Sequence, residues 1–326
     1  MTRLRIQDTL SRHPEIGDEP IERPIFVVGM PRSGTTHLLN TLAADRRLRS
    51  LALWEAFEPV PIPGEPVSDD ECDPRFARAA ARWEAQRKLM PVMEMMHPFT
   101  PEHVHEETEL MLPNFGSYFL EFWFRTPKWR DTYLGTDQTP QYRYLKQVLQ
   151  LLQWRRGPKR WVLKTPQHLE QLRPLTTVFP DADIVMTHRD PLAVVQSVAT
   201  MITYSSRMRY EHSDPEGTCR YWIDRVDRLL SACLRDVDVA PDRVDVPFRP
   251  FMRDQVGTIE RVYHHVGWPV DAGSRAAIDQ HLREHQRGRD GQLRYDFRSD
   301  FGIDPAEVRP RFAAYMEAFR LEEEVT

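Results

Sequence analysis

Arg32 is the one cation in a loop bounded by glycines, Gly29-Met-Pro-Arg-Ser-Gly-Thr-Thr36. The spacing from Gly29 through Gly34 to Thr35 is that of a phosphate-binding loop. A nucleoside triphosphatase carries Lys directly after the second glycine; this chain carries Thr35 there, and its cation stands two residues before Gly34. The loop is therefore expected to cradle a phosphate differently. Backbone N–H groups at the start of a helix beginning near Gly34 would hold the anion, with the Ser33, Thr35 and Thr36 hydroxyls as further donors. A second constellation, Val185-Met-Thr-His-Arg-Asp-Pro191 followed by Ser197, could grip another anion. Arg189 offers a bidentate fork and Ser197 a neutral donor, the alternative being a surface ion pair of Arg189 with Asp190.

The elements that must position these groups follow from the apolar runs. Residues 25–28, Ile-Phe-Val-Val, suit the middle of a parallel sheet. Further strands are expected at 48–54, 160–163, 183–187 and 243–246, alternating with helical stretches, which gives an α/β fold with a mostly parallel central sheet and helices on both faces. Arg189 then stands at the carboxyl edge of the sheet, where ligands of open α/β folds bind, and the helix after Pro191 returns Ser197 toward that edge. Between the second and third strands lies a long excursion, with helices expected over 70–96 and 142–154 and an aromatic-rich stretch over 106–124. Its aromatics, Phe115, Tyr118, Phe119, Phe122, Trp123 and Phe124, either line a substrate lid or pack the excursion's own core.

Composition limits the function classes. The chain has 326 residues, 40% hydrophobic and 29% charged, enough for a full core. A net charge of -5 argues against a general nucleic-acid binder and makes any anion site local. Cys72, Cys219 and Cys233 are too few and too scattered for a disulfide framework or a zinc site, which suits a reducing compartment. No segment has the length and hydropathy of a membrane span, and residues 1–22 read as a polar N-terminal extension without a targeting signal. The expected location is cytoplasmic. Residues 23–326 are expected to form one domain, with a helical insertion over about 65–158.

Pro31-Arg-Ser-Gly-Thr-Thr36 resembles the 5′-phosphosulfate loop of sulfotransferases, and Arg189 with Ser197 resembles their 3′-phosphate site. Trp161-Val-Leu-Lys-Thr-Pro166 is similar to the family strand that brings a Lys to the sulfuryl group, residues 244–270 to the strand, helix and turn that follow, and residues 295–301 to the tail of bacterial members. The resemblance covers nearly the whole chain beyond about residue 20. It implies a P-loop-type fold and a donor, 3′-phosphoadenosine 5′-phosphosulfate (PAPS), bound by Arg32, Ser33, Gly34, Thr35, Thr36, Arg189 and Ser197. It also implies an acceptor with a hydroxyl on a small molecule, lipid or carbohydrate, among which the aromatic and Met content of 90–144 favours an apolar or aromatic alcohol over a highly charged glycan.

In sulfuryl transfer, charge grows on the leaving phosphate oxygen, so positioned cations and a base suffice and no metal is expected. Arg32 and Lys164 are the cations assigned to the bridging oxygen. Glu55, just after the second strand, resembles the Glu base of some bacterial members. His168 is the rival, although the family's Lys-Thr-His position is here Pro166; Glu106, Glu107 and His105 are outsiders. Arg287-Gly-Arg-Asp-Gly291 resembles a basic loop that closes on the nucleotide, or is an ordinary turn. Two other classes stay open. A kinase-like phosphotransferase needs the absent Lys and a strand-end Asp for Mg²⁺, and a non-catalytic nucleotide binder would be expected to lose site residues. A homo-oligomer is left open.

Overall fold

The computed structural model describes residues 2–68, 71–97, 99–285 and 295–325. Its sheet has five strands, β1 (Ile25–Gly29), β2 (Leu48–Arg49), β3 (Arg160–Lys164), β4 (Asp183–His188) and β5 (Val244–Pro247), in the order β2-β3-β1-β4-β5. Every residue of β1 is buried, as an unbroken Ile-Phe-Val-Val run demands. β2 pairs with β3 and β4 with β5, both in parallel, Val185 opposite Val244 and His188 opposite Pro247. Backbone contacts divide the chain into two compact units. The first comprises Met1–Ile25, Arg46–Lys164 and Pro174–Ala182, the second Phe26–Asp45, Thr165–Arg173 and Asp183–Thr326.

In the first unit, the strand expected over 48–54 ends at Arg49. Residues 51–53 leave the ladder to bond a distant segment: His105 N–H donates to Leu51 O at 2.7 Å, Leu53 N–H donates to His103 O at 2.9 Å, and Ala52 bridges Val104 antiparallel. Glu55 consequently lies on a short helix, α3 (Leu53–Phe57), rather than past a strand end. The helix expected over 70–96 is two. The longer, α4 (Pro74–Leu89), is capped by Asp73 and starts with Pro74; it stops at Met90, the residue before Pro91, where a following proline disfavours helical backbone. The shorter is Met93–Met96. A helix over Thr139–Arg156 starts earlier and ends later than the expected 142–154, with Pro140 in its first turn and Gly157 beyond its end. The polar N-terminal segment is structured: α1 (Thr2–Arg12) and a 3₁₀ turn bury Ile6 and Ile16, and Gln150 Nε2 donates to Gly17 O and Glu19 O at 2.9 Å.

In the second unit β1 runs into a loop and then α2 (Thr35–Ala43), and β4 into the helix Pro191–Ser206, whose first turn is capped by Asp190 accepting from Leu192 N–H. The helix Pro215–Asp236 packs on Pro191–Ser206 and on the 3₁₀ segment Pro166–Glu170. The deepest link is a bidentate pair: Arg225 Nη1 and Nη2 donate to Glu170 Oε2 and Oε1 at 2.6 and 2.7 Å, both side chains fully buried.

Candidate active site

The loop after β1 is shaped by two close approaches. A Cβ on Gly29 would fall 2.1 Å from Thr187 Oγ1, so only glycine lets β4 come so near. Gly34 has φ 92°, and a Cβ there would meet the Phe248 ring at 2.9 Å. Ser33 ties the loop to itself: its hydroxyl donates to Met30 O at 2.6 Å, which leaves Thr187 Oγ1, 2.7 Å away, to donate to Ser33 Oγ. That hydroxyl, expected as a phosphate donor, is thus engaged within the protein. Thr35 and Thr36 open α2, whose first turn holds no acid and whose cap, Gly34, supplies no side-chain oxygen. The positive end of the helix is not neutralised from within its own turn.

Arg32, Ser197 and Arg189 meet. Arg32, itself at φ 63°, donates from Nε to Ser197 Oγ at 3.0 Å, and Arg189 donates from Nη1 to Arg32 O at 2.7 Å. The Arg189 guanidinium lies over the Phe248 ring, 4.2 Å from its centroid. Phe248 thus touches both Arg189 and the space beside Gly34. The sequence reading passed it over, although its place directly after β5 puts it at a strand end, the signal that singled out Arg189. Tyr295 Oη lies 3.4 Å from Ser197 Oγ.

Asp190 does not pair with Arg189. It caps its helix, lies 3.4 Å from Arg309 Nη2 and accepts the N–H of Glu324 at 2.7 Å, while Arg189 Nε and Nη2 grip the Glu324 carboxylate at 2.8–3.1 Å. One residue earlier, His188 is buried, bonded to Tyr315 Oη at 2.8 Å and Asp245 at 2.9 Å, and stacked on Phe319. Burial pushes its pKa down, against the raising effect of Asp245. A neutral imidazole therefore anchors the end of β4. His168, the rival base, is fully buried in the 3₁₀ segment after β3, its ring edge-on to Phe26 at 5.0 Å. That is an interior packing position.

In the first unit, Lys164 closes β3 with its side chain 1% exposed. Its Nζ is paired with Glu106, whose side chain is 15% exposed, and its backbone N–H donates to the buried Glu107 carboxylate at 3.1 Å. The bridge between 51–53 and 103–105 carries both glutamates there. Glu55 is placed otherwise: Oε1 accepts from Arg156 Nε at 2.9 Å and Arg49 Nη2 at 3.3 Å, and only 4% of the side chain is exposed. Two guanidiniums thus hold Glu55 away from solvent. Beside Glu106 in sequence, His97, Phe99, His103 and His105 form one cluster of rings. Burial, then His97, His105 and Lys164, pushes the His103 imidazole down to about 2 against the raising effect of Glu106, so it is neutral at any ordinary pH. Among the described residues no His, Cys, Asp and Glu cluster is arranged to hold a metal. The basic run Arg287–Gly291 lies outside the described residues.

Solved structures share this fold. Sulfotransferase STF9 from Mycobacterium avium superposes with a TM-score of 0.85 at 27% identity, covering 99% of this chain and 83% of its own. Sulfotransferase STF1 from Mycobacterium tuberculosis gives 0.81 at 27% identity, covering 96% and 82%. The omega-hydroxy-beta-dihydromenaquinone-9 sulfotransferase Stf3 of Mycobacterium bovis is 26% identical over 284 residues, 80% of this chain and 67% of that protein. The sulfotransferase family model matches residues 24–272, from the strand before the Arg32 loop past β5, and the chain belongs to that family.

Proposed function

We propose that this sulfotransferase takes its sulfuryl group from PAPS and delivers it to a hydroxyl on an apolar acceptor, with Glu106 as the base. The observation that carries the donor assignment is the joined set of Arg32, Ser197 and Arg189 beside the N-terminus of α2. Two guanidiniums, a hydroxyl and a helix end suit a dianion, and a nucleotide with phosphates at both the 3′ and 5′ positions has two such groups to offer. Arg189 and Ser197 are assigned to the 3′-phosphate. The N–H groups of the loop and α2, with Thr35, Thr36 and Arg32, are assigned to the 5′-phosphosulfate.

In the reaction the acceptor oxygen attacks sulfur as its proton passes to Glu106. The bond from sulfur to the bridging oxygen breaks, and its electron pair leaves with the nucleotide phosphate. Lys164 and Arg32 stabilise the charge that grows on that oxygen. Lys164 exchanges its Glu106 partner for the bridging oxygen, which frees the carboxylate when a base is needed. The cluster of rings next to Glu106 favours an apolar acceptor, and the mycobacterial relative acts on a hydroxylated dihydromenaquinone by its name. We assign the enzyme to a reducing cytoplasm, in keeping with a chain that carries only three cysteines; burial pushes the Cys219 and Cys233 thiols up to about 12. No helix among the described residues is long and apolar enough to cross a membrane.

Titration calorimetry with 3′-phosphoadenosine 5′-phosphate and AMP tests the donor assignment. The bisphosphate should bind more tightly, and Arg189→Ala should erase most of the difference, about 1.5–3 kcal/mol for a charge-assisted contact. Equal affinities in the unmodified protein overturn it.

A further inference from the structure

Glu324 holds Arg189 as a ligand phosphate would. Nε donates to Oε1 and Oε2 at 3.0 and 3.1 Å and Nη2 to Oε2 at 2.8 Å, and both side chains are 15% exposed. A carboxylate and a phosphate present similar oxygen pairs to a guanidinium fork. The segment bearing Glu324 is built to stay there. Arg320 takes a left-handed turn at φ 51° after the helix Ala313–Ala318, and Leu321 N–H closes on Met316 O at 2.9 Å, which redirects the chain. Arg249 then pairs with Glu322 at 2.7 Å and donates to Glu323 O at 2.9 Å. Asp190 accepts the N–H groups of Glu324 and Val325 at 2.7 and 3.3 Å, and Arg309 holds Glu323 at 3.3 Å and the Val325 carbonyl.

We propose that the acidic segment Glu322-Glu323-Glu324-Val325 is an internal occupant of the donor's 3′-phosphate site and must lift from Arg189 before the nucleotide binds. The inference rests on the assignment of Arg189 to the 3′-phosphate. Of the anchors, Arg249 and Glu322 lie at the surface, and the three hydrogen bonds from Arg189 to Glu324 are the ones a dianion replaces. Donor affinity is then lowered by the fraction of molecules in which the segment is seated. Repulsion by Glu322 and Glu323 works the same way on an approaching polyanion.

Calorimetry and amide exchange on the full chain decide the matter. Glu324→Gln should tighten binding of 3′-phosphoadenosine 5′-phosphate by about 3–10-fold, the relief expected when a seated fraction of about two-thirds to nine-tenths is abolished. AMP, which lacks the 3′-phosphate, should bind the variant and the unmodified protein alike. In turnover the variant should lower KM for PAPS and leave kcat unchanged. In the unmodified protein, saturating 3′-phosphoadenosine 5′-phosphate should speed exchange of the Glu324 and Val325 amides bonded to Asp190, a readout that needs no variant to fold. Weaker binding by Glu324→Gln overturns the proposal and marks Glu324 as a residue that holds Arg189 in place. Unchanged affinity with unchanged exchange overturns it too, while a surviving preference for the bisphosphate over AMP leaves the donor assignment intact. Loss of that preference in every protein removes both.

Discussion

The Lys164 ammonium is held by the Glu106 carboxylate, not by Glu55, although Glu55 is the acid next to β2 in sequence. The pairing puts a partly exposed carboxylate against the ammonium at the end of β3. Glu55 is enclosed by Arg49 and Arg156 and braces the start of its unit.

The two glutamates should separate in kinetics. Glu106→Gln should leave nucleotide affinity near normal and lower kcat by about 10²–10⁴-fold, the range for a lost general base. The defect should shrink for phenols already ionised at the assay pH, which need no base. Glu55→Gln should instead lower the denaturation midpoint with a smaller change in kcat, because it leaves the buried Arg49 and the half-buried Arg156 guanidiniums short of a carboxylate. Near-normal turnover of Glu106→Gln on a high-pKa alcohol would return the role of base to Glu55 or His168.

Metal-independent turnover is the outcome expected from the composition of the loop. With Thr35 where a triphosphatase carries Lys, the charge on the donor is met by Arg32, Lys164 and Arg189 in the proposed mechanism. Turnover in excess EDTA should equal turnover without it. An absolute requirement for Mg²⁺ at the chemical step contradicts the assignment of these cations.

How much of this was legible in the sequence depends on the distance over which each feature is determined. β1 and the Arg32 loop were readable because a fully buried apolar run and a pair of glycines act on neighbouring residues. β4 and its Arg189 end were legible for the same reason, whereas the sequence joined Ser197 to Arg189 and not to Arg32, whose Nε donates to it. β2 was overestimated because 51–53 is bonded to 103–105, a pairing that no local pattern announces. The same long-range bridge decides which glutamate reaches Lys164. Ser33 looked like a phosphate donor by type, yet its partner Thr187 is 154 residues away. Glu324 lies 135 residues from Arg189, and nothing in a run of three glutamates names the cation it will hold.

The buried pair of Glu170 and Arg225 pins the segment after Lys164 to the helix Pro215–Asp236. Removing one partner strands a charge in the interior, so Arg225→Met should cost about 3–5 kcal/mol. Glu170→Met combined with Arg225→Met should recover most of that, since neither charge then remains. Urea midpoints of the two single variants and the double check the sign. A double variant as unstable as the sum of the singles would show that shape, rather than stranded charge, sets the cost.

Asp73 supplies a pH-dependent term at the other end of the chain. Its carboxylate accepts from Arg75 N–H at 2.9 Å and from Arg75 Nε and Nη2 at 2.8 and 2.7 Å, with Ser68 N–H at 3.3 Å. Burial alone would raise its pKa; the Arg75 guanidinium and these N–H groups outweigh it and hold the group at about 2, below the ordinary 3.8. A carboxylate depressed in the folded state adds stability above its unfolded value and loses it as pH falls through the folded one. The contribution is therefore full above about pH 4 and fades toward pH 2, and a shift of this size is worth on the order of 2 kcal/mol. Asp73→Asn should be less stable than the unmodified protein by about that amount at pH 7, plus the weakened cap on α4. The gap should narrow as urea unfolding is followed from pH 5 to pH 3. A gap that stays constant across that range would place the cost in the lost cap and packing, not in the ionised carboxylate.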